Sequence, residues 1–205
     1  MSASAKLFVI TAPSGAGKTS LVRALMAEDP SLAHSVSYTT RKARPGEAHG
    51  KDYFFVALPE FERMRAAGEF LEHAVVFDNH YGTARAQIEG FLKAGRNALL
   101  EIDWQGGRQV RASLPACVSV FVLPPTRAAL EHRLRGRGTD SAEVVARRLR
   151  DAVADMSHWN EADFVVVNDD FERALADLRA ILAGQGGALS RDRAELEPLV
   201  ATLLA

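Results

Sequence analysis

Short, nearly continuous apolar runs recur along the chain. They are Leu7-Phe-Val-Ile10, Ala98-Leu-Leu100, Val118-Ser-Val-Phe-Val-Leu123 and Phe164-Val-Val-Val167. Runs of this length, bounded by turn residues, read as strands buried on both faces. Helix-period stretches lie between them. Gly17 to about Glu28 is one, stopped by Asp29-Pro30. Ala84 to Ala94 is another, with Ile88, Phe91 and Leu92 at helix spacing and Gly95 as its stop. Thr126 caps a helix to about Arg135, and Gly136-Arg-Gly138 is a turn or hinge. Asp140 or Ser141 caps a longer helix that aligns Val145, Leu149, Ala152 and Met156 on one face. Phe171 to Ala183 is helical and Gly184 to Gly187 is a flexible link. Residues 189–204 form a helical appendage whose apolar positions are Leu196, Leu199, Val200 and Leu203. Residues 1–5 are expected to be a disordered tail.

Apolar strands alternating with helices predict an α/β fold with a parallel sheet covered by helices, its site at the carboxyl ends of the strands. Residues 34–90 break the alternation. They hold short β-like pieces, Ser35 to Tyr38 and Tyr53 to Val56, around a polar loop from Arg41 to Asp52. A helix starts at Pro59 and ends at Gly68, and Phe70 to Phe77 suits a strand. This region reads as an inserted mixed-β lobe.

The chemistry starts where the first strand, Lys6 to Ala12, meets the first helix. The junction reads Ala12-Pro-Ser-Gly-Ala-Gly-Lys-Thr19. A strand that passes through a Gly-rich turn into a helix makes a phosphate cradle, because backbone N–H groups and the helix N-terminus converge there. Ala12, Pro13, Ser14, Gly15, Ala16, Gly17, Lys18 and Thr19 therefore form a candidate P-loop for ATP. Lys18 can reach the β- and γ-phosphates, and the Thr19 hydroxyl can ligate Mg²⁺. The consensus opens with Gly where Ala12 stands, so that position must have a backbone conformation alanine tolerates. Glu101 and Asp103 end a later apolar strand, where a P-loop enzyme places an acid for the metal.

Two more stretches carry charge. Arg41 and Arg44, with Tyr53 close behind, make a phosphate clamp of planar donors or else a solvated basic loop. A P-loop binds only the phosphoryl donor, so a kinase needs a second phosphate site, which favours the clamp. Residues 126–158 carry seven arginines, including Arg133, Arg137 and Arg148. They read as a helical lid that brings arginines to the γ-phosphate, while Arg127 and Arg150 read as solvated. Trp104 and Trp159 read as packing residues, and the six histidines show no ligand spacing.

Composition narrows the classes. A formal net charge of −1 gives no one-signed field for nucleic acid or an anionic membrane. No apolar run approaches the ~20 residues of a membrane span, and no signal-peptide pattern opens the chain. The single cysteine, Cys117, lies in an apolar run and reads as core. These features suit a reducing, cytoplasmic address.

Thr39-Thr40-Arg41, Arg44, Glu47, Gly50, Tyr53 and Phe55-Val56 resemble, in order, the signature of guanylate kinases. The resemblance continues through Phe70-Leu-Glu-His73, Tyr81-Gly82-Thr83, Glu101 to Gly106, Arg133 to Gly138 and Asn168-Asp169. It implies a P-loop NTPase fold over residues 5–184. The core would be 5–33, 91–125 and 159–184, with a GMP-binding lobe at 34–90, a lid at 126–158 and a C-terminal appendage at 185–205. It implies transfer of the ATP γ-phosphoryl group to GMP, with Mg²⁺ as cofactor. Ser37, Glu72, Thr83 and Asp103 would contact guanine, and Glu101 would also bind the substrate. Arg41, Arg44, Tyr53 and Tyr81 would hold the GMP phosphate. Lys18, Arg41, Arg133, Arg137 and Arg148 would neutralise the phosphoryl group in transit, and Asn168 would sit near the ATP base. The rivals are a kinase for another nucleoside monophosphate and a catalytically silent guanylate-kinase-like module. The apolar face of the appendage serves either its own core or a second copy in a homo-oligomer.

Overall fold

A computed structural model of the protein describes residues 5–76, 78–136 and 142–205. Phe77, Arg137, Gly138 and the expected helix caps Asp140 and Ser141 lie outside the described residues, as does most of the expected N-terminal tail.

The elements follow in order. They are β1 (Leu7–Thr11), α1 (Lys18–Glu28), β2 (Ala33–His34), β3 (Tyr38–Thr39), β4 (Phe54–Phe55), α2 (Leu58–Ala66), β5 (Phe70–Val76), β6 (Asn79–Ala84) and α3 (Arg85–Lys93). Then come β7 (Ala98–Glu101), α4 (Trp104–Ser113), β8 (Val118–Leu123), α5 (Arg127–Arg135), α6 (Ala142–Met156), β9 (Phe164–Val167), α7 (Phe171–Leu182) and α8 (Leu196–Leu204). One sheet has the order β2-β7-β1-β8-β9, and its pairs β1–β8, β2–β7 and β8–β9 are parallel. The other has the order β4-β3-β6-β5 and is mixed, with β3–β4 parallel and β3–β6 and β5–β6 antiparallel. This is the α/β architecture of a P-loop NTPase with an added mixed sheet.

The chain divides into two compact units. The first comprises Met1–Leu7, Ser31–Leu100 and Gln105–Cys117. In it Phe61, Met64 and Phe70 form a small core, and the Phe61 and Phe70 rings lie 4.6 Å apart. Phe70 also explains Gly82 on β6. A Cβ there would stand 2.9 Å from the Phe70 ring, so only glycine lets the ring lie flat on the sheet. Cys117 is buried, as its apolar setting predicts.

The second unit comprises Phe8–Pro30, Glu101–Trp104 and Val118–Ala205. Every residue of β1 is buried, as a strand covered on both faces requires. Thr126 caps α5 as expected, accepting the Ala129 N–H at 3.0 Å. The C-terminal segment needs two corrections. The link is not wholly loose: Gly186–Leu189 is a 3-10 turn, Gly186 is buried, and a Cβ there would stand 2.8 Å from Ile181. The appendage becomes α-helical only at Leu196, because the preceding stretch is pinned by side chains instead. Arg191 donates to the carbonyls of Asn160 and Ala162, and Arg193 to those of Val165 and Ser190. Leu196, Val200 and Leu203 are buried against Leu134, Val145, Ala152 and Met156. Of the two alternatives for that apolar face, the unit's own core is the one seen.

Candidate functional site

In the second unit the chain leaves β1 at Thr11 and turns toward α1. Ala16 N–H closes the turn on the Pro13 carbonyl at 3.2 Å. Gly15 and Gly17 hold φ of +91° and +97°, where a side chain is strained. Space excludes one as well. A Cβ on Gly17 would stand 2.3 Å from Asn168 Nδ2, and one on Gly15 would stand 2.9 Å from Leu130 Cδ1. Asp78 is the only non-glycine at positive φ among the described residues, so Ala12 has an ordinary backbone and the missing first glycine costs nothing. The left-handed Gly17 caps α1, whose first turn carries no acid to compete for its N–H groups.

The loop's two functional side chains meet the end of β7. Lys18 Nζ donates to the Ile102 carbonyl at 2.7 Å, and the Thr19 hydroxyl donates to Glu101 Oε1. The strand-end acid is thus at the loop, as expected from sequence. Asp103 follows, and then Trp104, whose indole N–H donates to Asp155 at 3.0 Å and whose ring stacks on His158 at 3.6 Å. Burial pushes the Asp155 carboxyl above the usual carboxylate range, against the opposing donation from Trp104. Trp104 is therefore a packing residue with a polar anchor. Arg148, on α6, is half-buried, and Arg127 and Arg150 are exposed. Arg137 lies outside the described residues.

In the first unit Glu72 on β5 is 4% exposed and stands opposite Thr83 on β6, which is fully buried. The Thr83 hydroxyl donates to Glu72 Oε1 at 2.5 Å. A buried carboxylate held in one orientation is a ready acceptor for a partner with donors. The Arg41 guanidinium donates to Glu47 Oε1 at 2.8 Å and to the Lys42 carbonyl at 2.8 Å. Glu47 Oε2 accepts the Arg44 N–H at 2.8 Å, so one carboxylate ties both arginine positions together. Arg41 also lies 5.4 Å from the Tyr53 ring centre, and the Tyr53 and Tyr81 rings are 5.9 Å apart. These contacts gather Arg41, Tyr53 and Tyr81. The Arg44 side chain is exposed, and the Ser37 carbonyl accepts the Phe54 N–H in the sheet.

Two residues with site contacts have no role predicted from the sequence. One is Glu47, visible there only as a signature position. The other is Gln87 on α3, whose Oε1 accepts the Ser35 hydroxyl at 2.5 Å and the Val36 N–H at 2.9 Å. It fixes the strand entry just before Ser37. A surface hollow of about 520 Å³ lined by Trp159, Arg191 and Arg193 contains no predicted site residue. The arginines there already bind backbone carbonyls, so it is a seam of the C-terminal segment.

The Glu47 pair gives a pH prediction. Hydrogen bonds from Arg41, and then from the Arg44 N–H, hold its carboxyl below the ordinary glutamate value of 4.5. A group depressed in the folded state stabilises above its unfolded pKa and loses that contribution as pH falls through the folded one. The stability difference between wild type and Glu47→Gln should therefore be constant near neutrality and shrink only as pH falls below 4.5. Urea unfolding from pH 7 to pH 3 measures it. A difference unchanged across that range would contradict the pairing.

The family model described as Guanylate kinase matches residues 4–185. A guanylate kinase of Methylococcus capsulatus is 59% identical over 198 residues, covering 97% of each chain. That of Escherichia coli strain K12 is 49% identical over 201 residues, again covering 97% of each. The crystal structure of guanylate kinase from Anaplasma phagocytophilum superposes with a TM-score of 0.72 at 32% identity, covering 98% of this chain and 95% of that one. With the phosphate loop, the Glu72–Thr83 pair and the Arg41–Tyr53–Tyr81 cluster all in place, the chain belongs to the guanylate kinase family.

Proposed function

We propose that the chain transfers the γ-phosphoryl group of ATP to GMP, giving ADP and GDP. The observation that supports this is the presence in one chain of two constellations suited to phosphate, the loop with Lys18 and the Arg41–Tyr53–Tyr81 cluster. A donor-only NTPase needs one such site and a nucleotide kinase needs two.

The loop N–H groups and Lys18 bind the ATP phosphates, and Lys18 leaves the Ile102 carbonyl to do so. Arg41, Arg44, Tyr53 and Tyr81 bind the GMP phosphate. Glu72 and Thr83, with Ser37 and Asp103, receive guanine. Arg133, Arg137 and Arg148 offset charge on the phosphoryl group as it moves. The acceptor oxygen of GMP is already ionised, so no general base is required, and positioning and charge neutralisation set the rate. The adjoining Thr19 hydroxyl and Glu101 carboxylate are hard oxygen donors that fit Mg²⁺. Bound there with ATP, the ion would neutralise charge on the β- and γ-phosphates. No described helix is long and apolar enough to cross a membrane. One buried cysteine and the bacterial relatives support a cytoplasmic setting.

A coupled assay of ADP release tests the reading. ADP should form only when ATP and GMP are both present. Absence of GMP-dependent release from folded protein would overturn it in favour of a silent binding module.

A further inference from the structure

Asn168 follows β9 and turns its amide onto the phosphate loop. Its Nδ2 donates to the Ala16 carbonyl at 2.7 Å, and the residue is only 4% exposed. Its backbone is fixed as well, since its N–H donates to the Leu123 carbonyl at the end of β8 at 2.8 Å. Arg133 on α5 reaches the same spot. One guanidinium nitrogen donates to the Ala16 carbonyl at 3.3 Å and the other to the Asn168 carbonyl at 2.9 Å.

The Ala16 carbonyl therefore takes two side-chain donors. In a trans peptide the carbonyl and the following N–H point in opposite directions. Holding the Ala16 oxygen on Asn168 thus turns the Gly17 N–H away from Asn168. Gly17 is part of the same fit, because a Cβ on it would collide with Asn168 Nδ2 at 2.3 Å. A left-handed glycine is free to flip its flanking peptides, and this contact removes that freedom.

We propose that Asn168 is a positioning residue for the phosphoryl donor: it locks the Ala16–Gly17 peptide so that the Gly17 N–H serves the triphosphate. It acts through the loop and not on the donor's base. The inference deepens the kinase reading and rests on it for the identity of the donor. It differs from the role implied by resemblance, a place near the ATP base, in resting on the observed donation from the Asn168 amide to the Ala16 carbonyl.

The test compares wild type with Asn168→Ala, and with Asn168→Ser in case the first variant folds poorly. Three ligands are used: ATP, GTP as a donor with another base, and inorganic tripolyphosphate as a baseless competitor. Losing the lock should raise KM for ATP and for GTP by the same factor, about 5- to 10-fold. The inhibition constant of tripolyphosphate should rise in step, while KM for GMP stays within twofold. A merely structural role would instead lower the melting temperature and leave these ratios as they are. A loss confined to ATP, or unchanged tripolyphosphate binding, would overturn the proposal and leave the kinase reading intact. If wild type gave no GMP-dependent turnover, the kinase reading would fall, and direct tripolyphosphate binding would still decide the role of Asn168.

Discussion

Lys18→Ala should fold like wild type and turn over about 100-fold more slowly or worse. Lys18 is the first residue of α1, its side chain is half-exposed, and its Nζ donates to the Ile102 carbonyl at 2.7 Å. Alanine is the best helix former, and removing a half-exposed lysine leaves no cavity in the core. The loop's shape rests instead on Gly15, Gly17, Asn168 and Arg133. What the variant lacks is a mobile cation that follows charge as it builds on the transferring group. One such contact in a water-excluded site contributes about 3 kcal/mol or more, hence about 100-fold or more in rate. Steady-state turnover at saturating ATP and GMP, beside a thermal melt, measures both halves of the statement. A variant that melts like wild type and keeps near-normal kcat would remove Lys18 from the chemistry.

The phosphate loop was legible in the sequence because everything that makes it is local. Strand, glycines, lysine and helix follow one another within a dozen residues, and each glycine has a steric reason to be there. The central strands were legible for a similar reason, since burial on both faces writes a continuous apolar run. The pattern is silent over β6. Asn79-His-Tyr-Gly-Thr-Ala84 has no apolar alternation, because its residues serve the site and the Phe70 ring instead of a core. It is silent again over α4, where Trp104-Gln-Gly-Gly107 has weak helix propensity and only Gly106 and Val110 of the whole helix are buried. The contacts of Gln87 with Ser35 and of Asn168 with Ala16 span 52 and 152 positions, so no local spacing announces them. Resemblance supplied names for the site residues. It did not supply the hydrogen bonds that fix them, such as that of Asn168 with Ala16.

Base selection should rest on Glu72. Guanine presents N1–H and its exocyclic amino group side by side, and a carboxylate presents two acceptors at matching spacing. Glu72 is 4% exposed, and Thr83 donates to Oε1 at 2.5 Å, so the carboxylate is oriented before any base arrives. Each carboxylate oxygen accepts more than one hydrogen bond, so the Thr83 contact does not block the pair that guanine makes. Adenine sets the lone pair of N1 against that acceptor edge and has no amino group at C2, so it forfeits both hydrogen bonds that guanine makes. Hypoxanthine keeps N1–H and lacks the amino group, so IMP forfeits one hydrogen bond to a charged acceptor. That loss is about 1.5–3 kcal/mol, or roughly 10- to 150-fold. The expected order of kcat/KM is GMP, then IMP, then AMP. Glu72→Ala should collapse the order chiefly by lowering activity on GMP. Glu72→Gln offers a second variant of nearly the same shape, in case the cavity left by alanine unsettles β5 and β6. Its amide turns one acceptor into a donor, which opposes a donor of guanine, so GMP should again lose most. Kinetics with the three acceptors on wild type and both variants decide the matter. Equal use of AMP and GMP by wild type, or an undiminished GMP preference in variants that fold normally, would take base recognition away from Glu72.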